Sequence, residues 1–314
     1  MRISIRNKQH CRKGKMNIKE NLELSLLALP GFLHMLIVCY LPMIGVVIAF
    51  KKFNPNLGIW GSKWVGFDNF KFFFESNDFV RIMRNTLGYN AVFLLLDNLV
   101  AIVFAIILYN ITKRWVIKVY QTTMILPNFM SMVLIAFIVY AFLNPASGIL
   151  NQVIEAFGGE SKDWYAKPGY WPFILTFVQL WKSVGMKTII FYAGLMGIDE
   201  SLFEAARIDG ATKWHEIRYI IIPEIMGLIC IYLILGVGNI VSGDFGLFYQ
   251  VPMNVGALYS TTDIINTYTF RALQEASNMG RTAAVGLFQS VAGSILLVIS
   301  NSIVRKISPD KSFF

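Results

Sequence analysis

The chain has 314 residues, of which 55% are hydrophobic and 15% charged, and a formal net charge of +9. Soluble domains carry about a quarter charged residues, so this composition excludes an ordinary soluble enzyme. It points to an all-α integral membrane protein with room for about six spans of roughly twenty residues each. The three cysteines, Cys11, Cys39 and Cys230, have neither metal nor redox spacing. The positive charge calls for no nucleic-acid partner, because basic residues beside membrane spans have a topological explanation.

In chain order, residues 1–23 form a basic tail carrying Arg2, Arg6, Lys8, Arg12, Lys13, Lys15 and Lys19. The apolar run Leu24–Phe50 exceeds the roughly 7–15-residue core of a signal peptide, and no small-residue cleavage site follows. It reads as an uncleaved first span with the tail in the cytoplasm. Lys51–Arg84 is too charged to span. Thr86–Leu108 is the second span, interrupted by Asp97, and Asn110–Lys118 is a short basic turn. Tyr120–Leu143 is the third span, with Pro127 able to kink it. A loop over Asn144–Gly169 leads to the fourth span, Tyr170–Met196. The fifth span, Pro223–Ser242, contains Gly227, Gly236 and Gly238. Gly243–Met279 is a long polar loop, Gly280–Ile303 the sixth span, and residues 304–314 a cytoplasmic tail.

Counting basic residues orients the chain. The N-terminal tail holds seven, and the Asn110 turn, the loop over residues 199–223 and the C-terminal tail hold three each. The three outer pieces hold six, two and one, and Lys182, Lys187 and Arg281 lie within spans. The excess marks the cytoplasmic side, so both termini and the 199–223 loop are expected inside.

That loop is a polar island between two apolar runs. Glu204, Ala205 and Ala206 are strong helix formers, and Asp209-Gly210 is a turn signal with glycine free to adopt positive φ. Thr212 offers an N-cap to a second helix, with His215 at the capping-box position and Glu216 one place late. Such a knob suits a partner's grip, although an amphipathic connector has the same polarity. The residues themselves resemble the EAA loop of binding-protein-dependent ABC importer permeases: Glu-Ala-Ala, then Asp-Gly-Ala, then a hydrophobic-proline close at Ile222-Pro223. Gly66-Phe67-Asp68-Asn69-Phe70, Asn85-Thr86-Leu87, Leu126-Pro127, Trp181-Lys182, Gly185 and Ala193-Gly194-Leu195 extend the likeness over Leu24–Ile303. The chain looks most similar to maltose-type sugar permeases of the polysaccharide and complex-oligosaccharide (LplB-like) branch. It departs from them at Ile222, where leucine is usual, and at Gly227, where a second proline is common.

The resemblance implies a type I ABC importer permease fold in the bacterial plasma membrane. Its expected partners are a second permease, two ATPase subunits that bind ATP and Mg, and an extracellular sugar-binding protein delivering an oligosaccharide. Glu204, Ala205, Ala206, Asp209 and Gly210 would couple to the ATPase, and this chain itself would hold no cofactor. The sequence agrees, since it lacks a G-x-x-x-x-G-K-[ST] phosphate loop, a metal-spaced set among His10, His34 and His215, and a G-x-S-x-G nucleophile. No covalent chemistry is expected of it.

Charges inside spans cost at least about 2.5–3.5 kcal/mol on insertion scales, so Asp97, Lys182 and Lys187 should face protein or a wet cavity. The two lysines, five positions apart, lie about 140° apart around a helix. One of them could meet a sugar, or Asp97 could pair with Lys182 as an internal lock. Phe173, Phe177 and Trp181 form a stripe that could stack on sugar rings or pack against lipid. Asn90, Asn128, Gln179 and Asn239 could hydrogen-bond hydroxyls on a substrate path or join helices. The competing reading is an ion-coupled secondary transporter built on Asp97 and Lys182, and it leaves the polar island unexplained.

Overall fold

A computed structural model of the chain describes residues 18–276 and 279–307. The basic residues up to Lys15, with Cys11, and residues 308–314, with Lys311, lie outside them. The chain divides into two units, Met1–Val47 and Ile48–Phe314. In the first, helix α1 (Ile18–Met35) runs into a π-turn at Leu36–Tyr40 and a 3-10 stretch, Leu41–Phe50, that enters the second unit. Residues Ser25–Phe50 have a mean hydropathy of 2.3 over their most apolar window. Leu27, Phe32 and Ile37 are more than half exposed, as expected of a span whose solvent is hydrocarbon.

The second unit opens with structure where the sequence suggests only a mixed segment. Strands β1 (Lys51–Lys52) and β2 (Lys63–Trp64) pair antiparallel around the short helix α2 (Gly58–Gly61). Helix α3 (Asp68–Phe74) follows, and Asn69 Nδ2 donates to the Ala49 and Lys51 carbonyls at 2.8 and 2.9 Å. Helix α4 runs over Phe79–Tyr109, starting two turns before the expected Thr86. Those turns are covered by protein: Ile82, Asn85 and Thr86 are buried, and the Thr86 hydroxyl returns to the Ile82 carbonyl.

The expected third span is not one rod. Helices α5 (Arg114–Ile125) and α6 (Met132–Leu143) meet at 100° across a 3-10 turn, Leu126–Phe129. Pro127 supplies no amide donor to continue α5, and Ser131 begins a new helix by accepting from the Leu134 N–H at 3.3 Å. Helix α7 (Ile149–Ala156) lies within the following loop, and α8 spans Trp171–Leu195. The polar island folds as α9 (Glu200–Ile208) and α10 (Lys213–Glu216). A π-turn, Ile217–Ile221, joins α10 to α11 (Ile222–Gly238), so the fifth span is continuous from Lys213 and does not begin at Pro223. The wide turn accommodates a proline that lacks the donor an α-helix needs. The long polar loop holds α12 (Phe245–Gln250), α13 (Tyr259–Thr262) and α14 (Ile265–Ala276), before α15 (Met279–Ile307) closes the unit. Among the described residues, five helices can cross a membrane, or six if the bent pair counts as one span.

Helices α4 and α8 form the central pair. One buried cluster joins Phe93, Leu175 and Val178 to Ile135 and Leu247 near one end. A second joins Ala101, Ala105, Phe191 and Leu195 to Phe203, Ile221 and Ile225 beneath the polar island. At the end far from the island, the fully buried Asp263 carboxylate accepts from Arg271 at 2.6 Å, Thr267 at 2.8 Å and Arg81 at 3.2 Å. This network, which no sequence pattern announces, ties the α12–α14 loop to α4.

Candidate functional site

The polar island is a helix–turn–helix knob. Asp199 caps α9 by accepting from the Ser201 N–H at 3.0 Å, and this bond holds its carboxyl below the usual aspartate range. Gly210 sits at φ +78°, and two C-terminal bonds, Gly210 N–H to the Arg207 carbonyl and Ala211 N–H to the Ala206 carbonyl, form a Schellman close. The expected positive-φ glycine is therefore present. His215 completes the capping box, accepting from the Thr212 N–H at 3.3 Å. Displaced one position from that role, Glu216 turns inward with a side chain only 5% exposed, and accepts from Arg207 and Lys213.

The knob has distinct inner and outer faces. Phe203 is buried, its ring 5.8 Å from that of Tyr109 at the end of α4. Glu204, Ala205, Asp209 and Gly210 are exposed, and Ala206 is half-buried. Beside them Ile208 and Trp214 are 86% and 66% exposed, an apolar surface on an otherwise charged protrusion.

The membrane-embedded charges are arranged otherwise than expected. Asp97 pairs with Lys187, whose Nζ lies 3.0 Å from Oδ2, and Gln179 Nε2 donates to the same oxygen at 3.2 Å. Lys182 is not its partner. Gln179, Ser183 and Lys187 follow one another at four-residue spacing and share the α8 face toward α4, while Lys182 lies off that stripe. Its Nζ instead donates to the Met130 carbonyl at 2.6 Å, where the bend between α5 and α6 leaves the backbone open. Gly185 permits this contact region, since a Cβ there would overlap the Met124 carbonyl of α5. Both lysines are thus engaged internally, and no Asp97–Lys182 ion site exists.

The remaining candidates fall in separate places. Phe177 is 69% exposed and, with Phe173, Tyr89 and Arg84, lines an apolar cavity of about 700 Å³ between α4 and α8. Trp181, 38% exposed, lies outside its lining, and Asn128 is half-buried in the 3-10 turn with no side-chain hydrogen bond among the described residues. Asn239 lies elsewhere, with Ser242, Gln289, Ser290 and Ser294 in a polar groove of about 490 Å³ between α11 and α15. Asn90 braces its upper edge by donating to the Ile240 and Ser242 carbonyls at 2.8 and 3.1 Å. The Ser290 and Ser294 hydroxyls donate to the carbonyls four residues before them and Asn239 Nδ2 to that of Leu235, so the donors are satisfied within their own helices while the groove keeps open acceptor oxygens suited to water or another chain. The serines of α15 escape a reading that weighs only charges and aromatics. Their signal is Ser290 and Ser294 at four-residue spacing in an otherwise apolar helix.

Comparison with known proteins decides the family. Residues 99–311 match the model of the binding-protein-dependent transport system inner membrane component. The chain belongs to this family. Protein LplB of Bacillus subtilis is 34% identical over 296 residues, covering 94% of the permease and 92% of the relative. The polygalacturonan/rhamnogalacturonan transport system permease protein YteP of the same organism is 31% identical, covering 90% and 88%. A bacterial ABC transporter involved in import of the acidic polysaccharide alginate superimposes with a TM-score of 0.84 at 30% identity, covering 93% of the permease and 98% of that chain. A second structure of an alginate transporter, with an alginate pentasaccharide-bound periplasmic protein, gives 0.83. The permease is therefore a multi-pass protein of the bacterial plasma membrane with the all-α fold of ABC importer permeases, as the sequence implies. Its matched region includes the whole knob.

Proposed function

We propose that this permease forms half of the pathway of an ATP-driven importer of oligosaccharides, working by alternating access. The observation that carries the reading is the knob: a capped helix with Glu204 and Ala205 facing outward, continuous through α10 with a membrane span. A pair of ATPase subunits holding ATP and Mg closes on the knobs of two permeases, this chain and a second, unlike one. Glu204 pairs with a basic group of the ATPase, Ala205 and Ala206 allow close approach, and Asp209-Gly210 makes the sharp turn that presents them. On the opposite side an extracellular binding protein delivers the sugar.

The polar groove supplies hydroxyl and amide groups suited to sugar hydroxyls, with Asn239 and Ser242 among its lining and Asn90 as a brace. Phe177 and Trp181 offer ring faces for sugar C–H groups. Gln179 serves the Asp97 carboxylate, Asn128 is half-buried in the 3-10 turn, and Asp97, Lys182 and Lys187 hold helices together. The relatives named for polygalacturonan and alginate transport support a carbohydrate several units long. The chain supplies no group for covalent chemistry and needs no cofactor of its own.

The test is uptake into proteoliposomes holding the complete complex, with fluorescent oligogalacturonide and maltohexaose as probes. Accumulation of either that requires internal ATP and stops with vanadate is expected. Uptake driven by a proton or sodium gradient without nucleotide would overturn the reading.

A further inference from the structure

We propose that Glu216 is a positioning residue: a clamp that makes the coupling knob and the fifth span move as one body. The inference rests on the importer reading and concerns how force enters the membrane. Two side chains of α9, of different character, reach inward. Phe203 anchors it to the end of α4 by packing against Tyr109. Arg207, one turn later, reaches across the Gly210 turn, and its Nε lies 3.2 Å from Glu216 Oε1. Lys213 Nζ lies 2.7 Å from Oε2, so both carboxylate oxygens are engaged, one from each helix of the knob.

The place of Glu216 in the chain gives this contact its consequence. It ends α10, and the next residue opens the π-turn that leads without a break into α11. A push on α9 therefore has two routes inward: an apolar one, through Phe203 to α4 and to Ile221 and Ile225 at the start of the fifth span, and a charged one, through Arg207 and Glu216 to the end of α10, which leads into α11 and so into one wall of the polar groove. With a side chain 5% exposed against 55% for Arg207 and 66% for Lys213, the carboxylate is the shielded member, and it holds two cations that are themselves accessible. Charge-assisted hydrogen bonds of this kind are stronger than neutral ones and fix geometry as well as distance. Without the carboxylate, α9 keeps only its apolar anchor and can pivot about Phe203. The ATPase would then close on a knob that turns instead of pulling α11.

The measurement is transport per ATP hydrolysed by the whole complex in proteoliposomes, with the same two oligosaccharide probes. Glu216→Ala and Arg207→Ala should assemble and hydrolyse ATP, yet each should lower transport per ATP at least about five-fold, the lower end of measured coupling between two sites. The double variant should be no worse than Glu216→Ala alone, because that change already removes the contact Arg207 makes. Glu216→Gln keeps the volume and loses the charge, and it is read instead if the alanine variant does not assemble. Unchanged transport per ATP in the Glu216 variant, or losses that multiply in the double one, overturns the clamp. A wild-type complex that hydrolyses ATP and moves neither probe counts against the importer reading itself, which separates the two failures.

Discussion

Replacing Lys187 by methionine tests the interior of the bundle most sharply. Asp97 is 2% exposed and its Oδ1 has no hydrogen-bond partner among the described residues, so its environment depends on what reaches Oδ2. Lys187 supplies the charge at 3.0 Å and Gln179 a neutral donor at 3.2 Å. Removing the ammonium leaves a buried carboxylate with one neutral partner, a change that costs about 3–5 kcal/mol. By the scaling of larger soluble domains that corresponds to a fall in melting midpoint of about 6–20 °C. Asp97→Asn/Lys187→Met removes both charges and should recover most of the loss, since apolar or neutral replacement of a whole pair is often close to neutral. Thermal unfolding in detergent, followed by tryptophan fluorescence, measures all three proteins. If Lys187→Met melts with the wild type, or if the double variant is no better than the single one, the pair is not the lock described.

Lys182→Met removes one bond to the Met130 carbonyl rather than the counter-ion of a buried charge, and should cost about 1.5–3 kcal/mol by the same melting assay, less than Lys187→Met. Asp263→Ala leaves the largely buried Arg271 without a carboxylate, while Arg81 keeps Asp78, and should destabilise by about 3–5 kcal/mol, with faster proteolysis of the α12–α14 loop as a second readout. Gly210→Ala forces a side chain into φ +78° and should cost about 1 kcal/mol locally. Gly210→Pro should abolish transport while leaving the spans folded, and intact uptake would contradict the role given to the turn.

The spans were legible because hydrocarbon imposes a simple pattern, about twenty apolar residues for each crossing. The knob was legible because capping and turn chemistry are local: Gly210 and Thr212 act on residues within a few positions of themselves, and the Asp199 cap, equally local, is added by the structure. What the chain hides is tertiary. Asp97 takes Lys187 and not Lys182 because the stripe of α8 that faces α4 is set by packing, and spacing says only that the two lysines diverge. The break after Ile125 needed Pro127 and the Ser131 cap together, and either alone is compatible with a kinked but single span. Phe177, Trp181, Asn128 and Asn239 share a polarity or shape that suits sugar, yet the fold does not gather them into one site. Arg81, Asp263 and Arg271 come from segments far apart in sequence, which local patterns cannot connect.

Isolation of the tagged chain from its native membrane in mild detergent, with ATPase activity assayed on whatever accompanies it, tests the central claim most directly. The account predicts a pair of ATPase subunits, a second permease and vanadate-sensitive hydrolysis, all lost together in a Glu204→Lys/Gly210→Pro double variant whose spans remain folded. A lone chain that carries solute in liposomes without nucleotide, or a double variant that still holds its ATPase, would contradict it.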